Sequence, residues 1–301
     1  MTQGDPLISE LQEGRRRFMA LVADVRPELH RYCARMTGSV ADGEDVVQET
    51  LARAYYALSE LEELPPLRPW LFRIAHHRAL DYLGRYERRM GQPLDSVKDV
   101  TADAVPDAEN LLAREEAVNA ALSRFMELAP AQRSAVILKD VLGHSLEEIA
   151  SLLELSVPAV KAALHRGRTR LKEAQPPPVT AKRQVSPEVA RYVALFNARD
   201  WDGVRTLLAE DVELDLVNRA QRSGRRAVGA YFTNYDKVRD WQLVPAWLDG
   251  REVIAFFHDP SDAKPGYFIE LTFEGAALRR IHDFRYVPYA MDDARIELLP
   301  G

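Results

Sequence analysis

The 301-residue chain reads as a multidomain protein: two all-α modules, a helical bundle and a unit ending in a helix-turn-helix, followed by an α+β domain with a curled, mostly antiparallel sheet. Three observations predict this. Apolar residues recur at helical spacing from about residue 14 to residue 174, two capped short helices with a tight turn close that stretch, and after residue 186 the pattern changes to alternation with period two.

The first module spans residues 14–90. Phe18, Leu21, Val22, Val25 and Leu29 share one helical face, and residues 41–58 turn Val46, Val47, Leu51, Ala54 and Leu58 inward. The opposite face of that second helix holds Asp42, Glu44, Asp45, Gln48, Glu49 and Arg53. A proline-rich break, residues 64–69, precedes a third helix over 70–86 with Arg85, Arg88 and Arg89 at its end. Residues 91–114 read as a polar linker, and helix resumes near Glu109.

The second module, residues 115–174, ends in the helix-turn-helix. Ser145 and Glu148 form the capping-box pattern that satisfies two backbone donors reciprocally, ahead of Leu146, Ile149, Ala150 and Leu153 on one face. Ser156 caps the next helix, where Pro158 is tolerated because first-turn N–H groups have no intrahelical acceptor. Val157, Val160, Leu164, Gly167 and Leu171 point inward, which leaves Lys161, Ala162, His165, Arg166, Arg168, Thr169 and Lys172 outward. A basic face directly after a capped turn suits a DNA major groove. Lys161, His165 and Arg166 stand where such a helix meets base edges; Arg168, Arg170 and Lys172 stand nearer phosphate. The competing reading is a solvated charged surface.

A second, proline-rich linker covers residues 175–185. Residues 186–288 then predict helices over 187–199, 201–210 and 226–235 and strands over 212–217, 241–248, 252–258, 267–273 and 278–286. The tail, residues 289–301, is either docked or frayed.

Composition narrows the function classes. Apolar residues make up 47% and charged residues 29%, as in a globular protein, and the single cysteine, Cys33, excludes an intrachain disulfide. No apolar run approaches the roughly 20 residues of a membrane helix and no signal-peptide pattern opens the chain, so a cytoplasmic protein without membrane contact is expected. The net charge of −6 is unusual for a protein gripping DNA unaided, because phosphate neutralisation supplies most non-specific affinity. DNA contact is therefore local, or a partner supplies the grip. No metal-ligand spacing and no cofactor motif stands out.

An acidic-faced helix, a Trp-containing basic helix after a loop, and a C-terminal helix-turn-helix together resemble the sigma-70 family, in its compact extracytoplasmic-function (ECF) form built from regions 2 and 4. The resemblance rests on residues 42–56, 69–81 and 128–133 running into the helix-turn-helix, and covers about residues 14–174. It implies an alternative sigma factor that binds core RNA polymerase, reads the minus-35 element with region 4, and helps melt the minus-10 element with region 2. It implies a polymerase-binding surface at Asp45, Gln48 and Glu49. It also implies a minus-10 surface at Arg68, Trp70, Arg73, His77, Arg78 and Arg85, with residues 59–68 pocketing a flipped base. Trp70, Phe72 and Ile74 also read as core, Phe72 above all. Lys161, Ala162, His165, Arg166, Arg168 and Arg170 become the minus-35 set. His77 stands where relatives often carry Asn, Ala159 where Thr is frequent, and Glu62-Glu63-Leu64-Pro65-Pro66 is acidic and stiff for that loop.

The C-terminal domain resembles the SnoaL-like cone-shaped α+β fold, on residues 189–212. In enzymes of that fold an Asp or His inside the cone does acid/base work. Asp215, His258 and His282 are the candidate pocket residues here, with Asp283 on the opposite face from His282 by strand alternation. No acid/base pair is secured, so the domain is expected to regulate rather than catalyse, through a small-molecule ligand or another regulator. A free-standing helix-turn-helix regulator with a ligand-sensing C-terminal domain is the first alternative, and a C-terminal isomerase or hydrolase the second.

Overall fold

The computed structural model describes residues 6–90, 107–174, 183–235 and 241–299; most of both expected linkers lies outside these. The chain divides into two compact units, residues 1–177 and 178–301.

The first unit opens with α1 (Pro6–Leu21), α2 (Arg26–Thr37), α3 (Val40–Ala57), a 3-10 turn (Leu58–Glu60) and α4 (Leu67–Met90). The single run expected through Leu29 is broken at residues 22–25, which leaves Leu21 47% exposed. Gly38 ends α2 in the left-handed conformation, φ 76°, where a side chain is strained. Gly43 lets α3 approach α2 so closely that a Cβ there would stand 2.5 Å from the Ala34 backbone nitrogen. Glu44, expected on the outward acidic face, is fully buried instead: α2 brings Arg26 to it, with Nη2 2.5 Å from Oε1. A neighbouring helix has supplied a partner that periodicity within α3 does not reveal.

Next come α5 (Asp107–Asn119), α6 (Leu122–Phe125), α7 (Pro130–Val136), a π-helical segment (Ile137–Val141), α8 (Leu146–Leu153) and α9 (Val157–Glu173). The capping box at α8 is present: Ser145 Oγ accepts the Glu148 N–H at 3.1 Å, and the Glu148 carboxylate accepts the Ser145 N–H at 2.7 Å. Ser156 Oγ caps α9 by accepting the Ala159 N–H at 3.3 Å. The two helical modules share one core. Tyr32, Cys33 and Phe72 from α2 and α4 belong to the same buried cluster as Phe125, Ile137 and Val160. Phe72 is fully buried, as expected, and worth roughly 2–3 kcal/mol by area.

The second unit contains α10 (Pro187–Asn197), α11 (Trp201–Leu207), β1 (Leu208–Leu216), β2 (Ala220–Ser223), α12 (Arg225–Tyr231), a 3-10 turn (Phe232–Tyr235), β3 (Gln242–Leu248), β4 (Arg251–Phe257), β5 (Tyr267–Glu274), β6 (Ala277–Asp283) and β7 (Glu297–Leu298). The sheet order is β2-β1-β6-β5-β4-β3-β7, and only β1–β6 is parallel. One face of the sheet carries Leu214, Ile254, Phe256, Ile269 and Ile281, packed with Val193 and Phe196 of α10. The tail does not fray through Leu299. It pairs with β3, and the Leu299 N–H donates to the Pro245 carbonyl at 2.8 Å.

Candidate nucleic-acid interface and the interior of the C-terminal domain

Helix α9 sorts the six expected minus-35 residues into three groups. Lys161 and His165 are exposed and Arg166 is half-buried. His165 and Arg166, with Gln132, Thr169 and Arg170, line an open groove of about 520 Å³. Arg170 is exposed and reaches Glu127 at 3.4 Å. Two expectations need correction. Ala162 is buried rather than outward, 1% exposed: periodicity gives direction, but a methyl between long neighbours lies below their surface. Arg168 does not present its cation to solvent either. Its guanidinium forks onto Asp140, Nε–Oδ2 2.9 Å and Nη2–Oδ1 2.5 Å, and Asp140 is 2% exposed. A buried carboxylate demands such a partner, and the flank of α9 supplies it.

Helix α4 carries the expected minus-10 set. Arg73 and His77 are exposed, with His77 Nδ1 2.9 Å from the Arg73 carbonyl. Trp70 is half-buried and packs on the core edge. Arg68 Nε donates to Glu28 at 2.7 Å while its guanidinium lies 5.8 Å from the Phe72 ring centroid. Arg78 pairs with Asp81 at 2.7 Å. Arg85 reaches Glu49 at 3.4 Å, so the expected DNA and polymerase surfaces adjoin there. Of the polymerase set on α3, Glu49 is exposed, and Asp45 and Gln48 are half-buried.

In the second unit, alternation separates the candidates. Asp215, Glu270 and His282 are cross-strand neighbours on one face, with His282 Nε2 3.7 Å from Asp215 and Nδ1 3.6 Å from Glu270. His258 is exposed at the end of β4 beside Trp241 and Tyr267, apart from that cluster by strand position. The expected trio Asp215, His258 and His282 thus does not form one pocket.

The face packed against α10 also carries Asp283, which pairs with Ile269 across β5–β6 and is 2% exposed. Burial pushes its carboxyl up to about 6, against the Arg285 N–H that donates to it at 2.9 Å. Its charge is felt by Tyr192, Tyr235 and Tyr267, whose phenols burial pushes upward. The Tyr267 hydroxyl is buried with no hydrogen-bond partner among the described residues. Three tyrosines far apart in sequence, on α10, the 3-10 turn and β5, converge on Asp283. The only signal in sequence was the alternation that set Asp283 opposite His282.

A capped helix-turn-helix with outward cations, fused to a bundle bearing a basic aromatic helix, defines a DNA-reading protein. The known proteins it resembles are more specific. Residues 21–89 match the Sigma-70 region 2 family model, residues 116–171 the Sigma-70 region 4 model, and residues 189–285 the SnoaL-like domain model. The ECF RNA polymerase sigma factor SigG of Mycobacterium tuberculosis is 34% identical, over 63% of this chain and 58% of its own length, so the match spans little more than half of that relative. RNA polymerase sigma factor CarQ of Myxococcus xanthus is 32% identical over 52% of this chain and 87% of its own. The crystal structure of Mycobacterium tuberculosis extracytoplasmic function sigma factor SigJ covers 88% of this chain and 95% of its own, at 23% identity and TM-score 0.36. The chain belongs to the sigma-70 family, among its ECF members. The family is one of transcription initiation factors and not of known enzymes. Among the described residues no helix is long and apolar enough to cross a membrane.

Proposed function

We propose that the chain is an alternative sigma factor: it binds core RNA polymerase, reads a minus-35 element with α9 and helps open a minus-10 element with α4. The observation that carries this is the pairing, in one compact unit, of an outward Lys161-His165-Arg166 face on a capped recognition helix with an exposed Arg73-His77-Arg85 face on α4. The first set supplies base-edge donors, and Arg170 and the α4 cations supply phosphate contacts. Asp45 and Glu49 offer carboxylates to basic groups of the polymerase. The acidic net charge fits, because the assembled enzyme provides most of the DNA affinity.

The C-terminal domain acts as a built-in regulator, tethered at high effective concentration. The ligand chemistry proposed for its interior is a small molecule that accepts a hydrogen bond from the Tyr267 hydroxyl and meets Asp283. Two tests separate the parts. Co-sedimentation with core polymerase should retain the full chain, and loss of binding would reject the sigma reading. Removing residues after Ala174 should change promoter-specific transcription; unchanged output at every promoter and condition would reject regulation.

A further inference from the structure

On the packed face of the second unit's sheet, two polar groups lack the partners that their burial calls for. The Tyr267 side chain is 1% exposed, and its hydroxyl has no hydrogen-bond partner among the described residues. An unmet buried hydroxyl costs about 1–3 kcal/mol, which is why such groups are nearly always satisfied. The Arg285 guanidinium is half-buried and forms no ion pair among the described residues. It lies over Trp241, 4.9 Å from the ring centroid.

A run of rings joins the two groups. Trp241 meets Phe256 edge-on with centroids 5.0 Å apart, and Phe256 stacks on Tyr267 at 4.4 Å. Tyr235 flanks Trp241 at 4.9 Å, and its hydroxyl lies 3.4 Å from that of Tyr231. Phe256 and Tyr267 are buried while Trp241 and Arg285 are half-buried, so the run leads from the interior to the surface. Asp283 adds an acceptor at the inner end. It shares a face with Tyr267 as a diagonal neighbour across β5 and β6, and its Oδ1 accepts the Arg285 N–H at 2.9 Å. A carboxylate has lone pairs for further donors.

We propose that this run takes up a hydroxylated aromatic acid, with its hydroxyl at Tyr267 and Asp283 and its carboxylate at Arg285. This rests on the reading of the domain as a regulator with a small-molecule ligand. The ligand hydroxyl accepts from Tyr267 and donates to Asp283, which meets the orphaned phenol. Its carboxylate takes a charge-assisted pair with the guanidinium, and its ring packs against Trp241 and Tyr235. The reverse orientation would set two carboxylates together at the buried end, where like charges repel most. A purely apolar ligand would leave both polar groups unmet.

The test is calorimetric titration of the full chain at pH 7.5 with 4-hydroxybenzoate, and with benzoate and phenol as its two halves. One 4-hydroxybenzoate should bind per chain, with each half about tenfold weaker or worse. Tyr267→Phe keeps the ring and removes only the hydroxyl; it should weaken 4-hydroxybenzoate about tenfold and leave benzoate unchanged. Arg285→Gln should weaken 4-hydroxybenzoate and benzoate about tenfold and leave phenol unchanged. A variant that fails to fold loses all three probes together, and the comparison of probes on the unaltered chain stands without it. No saturable binding of 4-hydroxybenzoate, or binding no tighter than that of benzoate, overturns the proposal. If removing residues after Ala174 changes transcription while 4-hydroxybenzoate does not bind, this ligand class alone falls. If 4-hydroxybenzoate binds as expected while that removal leaves transcription unchanged, the site stands and the regulator reading falls.

Discussion

The helical unit and the C-terminal domain keep their polar chemistry on opposite sides of their surfaces. In the helical unit, Lys161, His165, Arg73 and His77 stand outward on helices whose other faces share one core. In the C-terminal domain, Asp283 and Tyr267 lie on the packed face of the sheet, almost without solvent. An outward set can meet a macromolecule; an inward one can meet only what fits inside. The difference separates an outward-facing set from an enclosed one, and each can be altered without the other.

The largest expected effect concerns Arg168, which sequence places with the DNA contacts and the structure places on Asp140. Arg168→Ala should cost about 3–5 kcal/mol of stability by stranding a buried carboxylate, seen as a lower urea midpoint of the helical unit. A normal midpoint with weaker DNA binding would return Arg168 to the reading surface.

Asp283 gives the next effect and has a definite sign. Its carboxyl rises from 3.8 to about 6 on burial, so the stabilisation associated with its proton is full below 3.8 and is lost as pH rises through about 6. Asp283→Asn should therefore stabilise the chain at pH 7.5, by on the order of 2 kcal/mol, and give little gain at pH 4. A gain independent of pH would contradict the buried-carboxylate account.

On the outward side, Lys161→Ala or Arg166→Ala should each reduce discrimination at the minus-35 element by about 2 kcal/mol in transcription by the assembled enzyme, with folding intact. Equal losses on promoters with and without that element would make these residues phosphate contacts only. The smallest effect belongs to the cap: Ser145→Ala should cost about 1 kcal/mol by freeing the Glu148 N–H, read in thermal unfolding.

Legibility in sequence followed the same division. Capping chemistry is local, so Ser145, Glu148 and Ser156 stood where their spacing put them, and Phe72 lay in the core. Direction on a single helix was legible for Lys161 and His165. Partners from other elements were not: Arg26 draws Glu44 inward, Asp140 claims Arg168, and Ala162 lies below its longer neighbours. Strand alternation separated Asp283 from His282, but which face became the interior depends on how the sheet curls, a property of seven strands together. The short strands Ala220–Ser223 and Glu297–Leu298 were missed because two to four residues carry too little alternation to register.

The most direct measurement is transcription by core RNA polymerase reconstituted with the purified chain on a random promoter library, with start sites mapped by sequencing. Starts preceded by two shared sequence elements, one near minus-35 that fades when Lys161 and Arg166 are replaced and one near minus-10, are the predicted result. Starts no different from those of core polymerase alone would contradict the account.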